Sequence, residues 1–174
     1  VCGLLLLGRL DGSAQTEPSR EYQVKAVFLF NFAQFVEWPP AAFAGASSPI
    51  VIGVLGENPF GAYLDETVRE EKVDNRPLEV QRYRRVDEIK TCHVLFISRS
   101  EASRLEQILA SLKDRSILIV GDGDDFVQRG GMIRLATPQN TIRLIINVEA
   151  ARAANLTISS KLLRSAEVVT VLKK

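Results

Sequence analysis

From Gln23 to Glu37 the apolar residues Val24, Val27, Phe28, Leu29, Phe30, Phe32, Phe35 and Val36 recur with a helical period and cover most of the circumference. A narrow polar stripe remains, made by Gln23, Asn31, Gln34 and Glu37, with Lys25 outside it. Such a helix is either buried on several sides or buried on one side and offered to a partner on another. Trp38 and the Pro39-Pro40 pair stop it. Residues 15 to 21 are polar and include Pro18, which predicts a flexible lead-in and ordered structure from Tyr22 onward.

Beyond the prolines the period changes. Ile50 to Leu55 is a short, fully apolar run that reads as a buried strand, and Gly56 to Gly61 turns the chain into a helical stretch ending near Arg69. Glu70 to Asn75 reads as a charged loop, Arg76 to Tyr83 as a strand, and Cys92 to Ile97 as a second apolar strand. A helix follows from Glu101 to Leu112, with Leu105, Ile108, Leu109 and Leu112 on one face and Ser100 as its N-cap, and then a strand from Ile117 to Val120. Apolar strands alternating with helices predict a mainly parallel sheet covered on both faces, a three-layer α/β/α arrangement.

The C-terminal part breaks that rhythm. Met132 to Thr137 and Ile142 to Asn147, separated by Pro138-Gln139-Asn140-Thr141, predict an antiparallel hairpin appended to the sheet. Helices from Val148 to about Ala154 and from Lys161 to about Val169 are expected after it, with Asn155 as a left-handed C-cap and Ser159 or Ser160 as N-cap. Pairing Thr137 with Ile142 puts Ile133, Leu135, Ile142, Leu144 and Ile146 on the core face and Arg134, Arg143 and Asn147 on the other. Two guanidinium groups so placed could hold an acidic group of a small ligand or a partner protein, or simply be solvated charges.

Composition narrows the classes. The 174 residues, 46% of them hydrophobic, suffice for one domain with a real core. A formal charge of +1, with scattered Lys and Arg, lacks the footprint of a nucleic-acid or anionic-membrane binder. Val1 to Gly8 and then Gly12-Ser13-Ala14 read as the remnant, residues 1 to 14, of a secretory leader cut after Ala14. The remainder holds no apolar run of membrane-spanning length, which predicts a soluble exported product without membrane insertion. Cleavage would remove Cys2 and leave Cys92 alone, so no disulfide could form within the mature chain.

Cys92 beside His93, the single histidine, looks like a catalytic couple. Neighbours on a strand point to opposite faces, so the two cannot share a proton unless the strand is broken there. Gly56 to Gly61 has the glycine spacing of a phosphate loop, but Ala62 and Tyr63 stand where Lys and a hydroxyl residue belong. Asp122, Asp124 and Asp125 lack the glycine and terminal glutamate of a calcium loop, and one histidine with one mature cysteine is too few for a zinc site. No catalytic residues, metal or cofactor are therefore expected.

Several segments together resemble the YfiR-like family (DUF4154): Lys25 to Phe32 running into Phe35-Val36-Glu37-Trp38-Pro39, Gly56 to Gly61, Cys92 to Ser98, Gly130 to Ile133, and Ile146-Asn147 through Ala150-Ala151 to Leu156 to Leu163. Their order and spacing span Tyr22 to Val169. The resemblance implies an exported α/β protein, residues 22 to 174, that binds the periplasmic sensor part of a membrane-anchored diguanylate cyclase and lowers cyclic-di-GMP. It also implies a homodimer, sequestration by an outer-membrane lipoprotein, restraint of biofilm formation and redox-sensitive disulfides. With one mature cysteine, Cys92 would instead be a buried free thiol or pair between chains. Trp38, Asn31 and Glu37 are the expected partner contacts. The alternative is a periplasmic small-ligand sensor acting with a sensor kinase or transporter, in which Trp38 stacks on the ligand while Arg134 and Arg143 hold its anion.

Overall fold

A computed structural model describes residues 17 to 169. The expected leader and Cys2 lie outside the described residues. The run of apolar residues at the start forms helix α1, Arg20–Phe35, which begins three residues before the expected Gln23 and stops two before Glu37. Val36–Glu37 is instead strand β1, pairing antiparallel with β9, Thr157–Ile158. Two β-branched partners and a proline pair ahead favour extended backbone over a last helical turn.

The remaining strands are β2 (Ile50–Leu55), β3 (Lys72–Val73), β4 (Arg76–Tyr83), β5 (Val94–Ile97), β6 (Leu118–Gly121), β7 (Ile133–Ala136), β8 (Arg143–Asn147) and β10 (Glu167–Val169). Their order across the main sheet is β10-β8-β7-β6-β5-β2-β4-β3. Strands β4, β2, β5, β6 and β7 are parallel, and β8 turns back antiparallel on β7. All residues of β2, β5 and β6 are buried, as unbroken apolar runs in a two-sided parallel sheet must be.

The fold class is the expected one: a mixed α/β domain on a mainly parallel sheet. On one face Phe96 meets Phe60 at 4.9 Å between ring centres, and Phe60 meets Tyr22 of α1 at 5.6 Å. On the other face Ile97, Leu105 and Phe126 line a common cavity. Helix α2 (Tyr63–Val68) follows β2, and α3 (Leu105–Ser111) follows β5. The hairpin register matches the expected one, with Ile133 opposite Ile146 and Ala136 opposite Arg143. Asn147 accepts from Ala150 N at 3.1 Å to cap α4 (Val148–Ala153), and Asn155, at φ 59°, closes it.

Three expectations are corrected. Glu70 to Asn75 is a tight hairpin, because Asp74 and Asn75 both take positive φ and let β3 pair with β4. Ser100 does not cap α3: Arg99–Arg104 forms 3-10 turns first, and the Ser100 hydroxyl accepts from Glu57 N at 3.0 Å. The helix expected to reach Val169 ends as α5, Ser160–Leu163, and β10 follows, parallel to β8. Its Val168-Val169 pair favours a pleated edge over another turn.

Gly121 and Gly131 face the ring of Phe126 so closely that a Cβ at either would fall well inside van der Waals contact with it. Gly131→Ala should cost about 1–3 kcal/mol and lower Tm by several degrees. Adding Phe126→Leu should return part of the loss; an unchanged Tm in Gly131→Ala would show that the ring is not held there.

Candidate functional site

Parallel topology gathers loop residues at two ends of the sheet. At the carboxyl ends, the carboxylate of Asp122, the residue after β6, is fully buried. It accepts from Lys25 Nζ at 2.7 Å, from Tyr22 Oη at 2.9 Å and from Arg99 Nε at 3.1 Å. Lys25, itself fully buried, also pairs with Glu21, whose carboxylate accepts from Thr137 Oγ1 at 2.8 Å. One network thus ties the first turn of α1 to the ends of β5, β6 and β7. Burial opposes ionisation of Asp122, but the Lys25 ammonium, the Tyr22 hydroxyl and the Arg99 guanidinium outweigh it and hold the pKa below 3.8. Glu21 is likewise held below 4.5, chiefly by its hydrogen bond with Lys25. Sequence reasoning left Lys25 unassigned; a lone charge on an otherwise apolar circumference was its signal.

At the amino ends lies an aromatic corner. The Trp38 indole N–H donates to His93 O at 3.1 Å, and its ring meets the imidazole edge-on at 5.9 Å. Phe43 stacks on His93 at 4.6 Å, and the Arg76 guanidinium carbon lies 3.9 Å from the Phe43 ring centre.

Cys92 and His93 sit just ahead of β5 rather than inside it, and they engage different neighbours. The thiol donates to Val94 O at 3.2 Å and lies in the space that Gly53 leaves beside Tyr83, whereas the imidazole turns to Ala42, Phe43 and Trp38. Burial pushes the thiol pKa up to about 12. Cys92 is buried and forms no disulfide within the described chain.

The other expected site residues are dispersed. Arg134 is level with Gly121, which pairs with Ile97, four residues beyond His93. At about 3.3 Å per residue this sets Trp38 and the hairpin arginines some 13 Å apart along the strand alone, so they share no small-molecule pocket. Arg134 donates to Asp124 at 2.6 Å, Asn147 is spent on its helix cap, and Arg143 is exposed. On α1, Asn31 is half-buried and Glu37 beyond its end is exposed, while Val24 and Val27 are 39% and 40% exposed on the outer side. The helix is therefore buried on one side and open on another.

A cavity of about 130 Å³ beside Arg99 and Phe126 is smaller than ordinary ligand pockets. A wider, open groove of about 500 Å³ is lined by Arg85, Asp87, Glu101 and Arg104, whose charges pair with one another. Among the described residues no group of three His, Cys, Asp or Glu is arranged to hold a metal, and no helix is long and apolar enough to cross a membrane.

The arrangement is that of an α/β domain whose Lys25–Asp122 network is internal and whose helix α1 leaves Val24 and Val27 exposed. The chain belongs to the YfiR/HmsC-like family (DUF4154), whose profile it matches over residues 22–167. No curated protein matches it. The family is one of periplasmic regulators of diguanylate cyclase signalling, acting with a membrane cyclase rather than by catalysis.

Lys25→Met should destabilise the protein by about 3–5 kcal/mol at pH 7, because it strands Asp122 in the interior. The depressed carboxyls contribute stability that is complete above their ordinary values of 4.5 and 3.8 and is lost as pH falls through the lower folded values. Urea melts between pH 7 and 3 should thus show a shallower acid slope in Lys25→Met than in the parent; identical slopes would remove Lys25 from the network. For Cys92, a pKa of about 12 leaves roughly one thiolate in ten thousand at pH 8. A disulfide reagent should leave native protein unlabelled for hours and label it within minutes in denaturant, and fast native labelling would contradict the burial.

Proposed function

We propose that this protein is an exported, non-enzymatic inhibitor that binds the periplasmic sensor portion of an inner-membrane diguanylate cyclase, lowers cyclic-di-GMP and restrains biofilm formation. The observation that carries the reading is the family match across residues 22–167. The separation of Cys92 from His93 supports it by removing the one catalytic couple that the sequence offered.

The contact surface we assign is the outer side of α1 and the corner after it: Val24, Val27, Asn31, Glu37 and Trp38. Exposed valines on a helix that otherwise points its apolar residues inward are what a partner surface requires. Arg143 is a further contact at the opposite end of the domain, whereas Arg134 and Asn147 are already engaged within the chain. A homodimer and capture by an outer-membrane lipoprotein belong to the same reading. Small-ligand sensing through Trp38 and the paired arginines loses its basis, since the strand length separates them.

Co-expression with its cognate membrane diguanylate cyclase should lower cellular cyclic-di-GMP severalfold, and Val27→Asp should abolish that effect while leaving Tm within a degree or two. Unchanged cyclic-di-GMP with both proteins present in the envelope would end the inhibitor reading. Full inhibition by a folded Val27→Asp protein would move the contact surface off α1.

A further inference from the structure

The neutral imidazole of His93 bridges the start of β2 and the segment between α1 and β2, and one of its two bonds, that from Val51, exists only in the neutral form. Val51 N–H donates to Nδ1 at 3.0 Å, so Nδ1 carries no proton; Nε2 therefore does, and it donates to Ala42 O at 3.1 Å. The same ring stacks on Phe43 and meets Trp38 edge-on. On the far side of the segment, Arg76 donates to Gly45 O at 2.7 Å and Ser48 O at 2.9 Å.

A second proton can enter only at Nδ1, where it would point at the Val51 N–H. That replaces a hydrogen bond with two opposed donors inside the protein. Nothing nearby compensates the charge. From β4 the cationic Arg76 stands over Phe43 on the ring's stacked side; from β2 comes the backbone N–H of Val51; from the segment itself, Ala42 and Phe43; from the end of α1, Trp38, with Glu37 exposed. The preceding Cys92 is an uncharged thiol.

We infer that His93 is an acid-sensitive latch: its protonation releases the 38–49 segment from the amino ends of the strands and uncovers Trp38 and Phe43. Burial and then Arg76 hold the imidazole pKa below 6.5, and a bond from Nε2 to Ala42 opposes them only in part. The latch is complete above 6.5 and opens as pH falls through the lower folded value. The inference does not depend on the proposed partner.

One histidine and one tryptophan make the test direct in untagged protein. Imidazole nitrogen shifts in histidine-labelled protein give the titration of His93, Trp38 fluorescence gives the state of the corner, and amide exchange covers residues 38 to 51. All three should change together at a midpoint below 6.5 with far-UV circular dichroism unchanged. The protection of Val51 and the segment, corrected for the intrinsic pH dependence of exchange, should fall by up to about tenfold per pH unit between 6.5 and that midpoint. The latch is overturned if the imidazole titrates while Trp38 and exchange stay constant. It is equally overturned if His93 titrates at the ordinary 6.5 or only with global unfolding.

Discussion

The ammonium of Lys25 and the carboxylate of Asp122, both without solvent exposure and 2.7 Å apart, set where the first helix lies. Taking two charges out of water costs several kcal/mol each, and their attraction offsets this only where further hydrogen bonds complete the site. Here Tyr22, Arg99, Glu21 and Thr137 complete it. An apolar helix can slide or rotate on an apolar sheet with little penalty, but one that carries a buried cation has a single acceptable position. Specificity of docking, rather than net stability, is the physical return from such a pair.

That position has consequences at the other end of the sheet. With its first turn held at the carboxyl ends, α1 runs down one face and delivers Val36 to β9 and Trp38 to His93 at the amino ends. The crevice at the carboxyl ends of parallel strands, where ligands commonly bind in open α/β sheets, is filled by the protein's own Tyr22, Lys25 and Phe60. What remains open is the outer side of α1.

Much of the fold was legible because it depends on local periodicity. Unbroken apolar runs gave β2, β5 and β6, and the pairing of Thr137 with Ile142 placed every residue of the β7–β8 register. The errors fall where a short segment is decided by its neighbour. Val36-Glu37 looks helical until β9 supplies a strand partner, and Glu167 to Val169 looks helical until β8 supplies an edge. Asp74 and Asn75 read as loop, though two residues tolerant of positive φ are also a hairpin turn.

The candidate chemistry divides along the same line. Sequence alone showed that Gly56 to Gly61 lacks the Lys and hydroxyl residue of a phosphate loop and that the 122–125 turn lacks the glycine and terminal glutamate of a calcium loop, because those motifs require particular residue types at fixed spacing. It also determined the family, whose segments are spread along the chain. Only the tertiary structure decided what the charged and aromatic residues do. Lys25 and Asp122 are 97 positions apart, Trp38 and His93 are 55, and Arg134 meets Asp124. Periodicity records which face a residue takes on its own element, whereas a partner from another element is chosen by how the sheet and its helices close, and no local pattern carries that information.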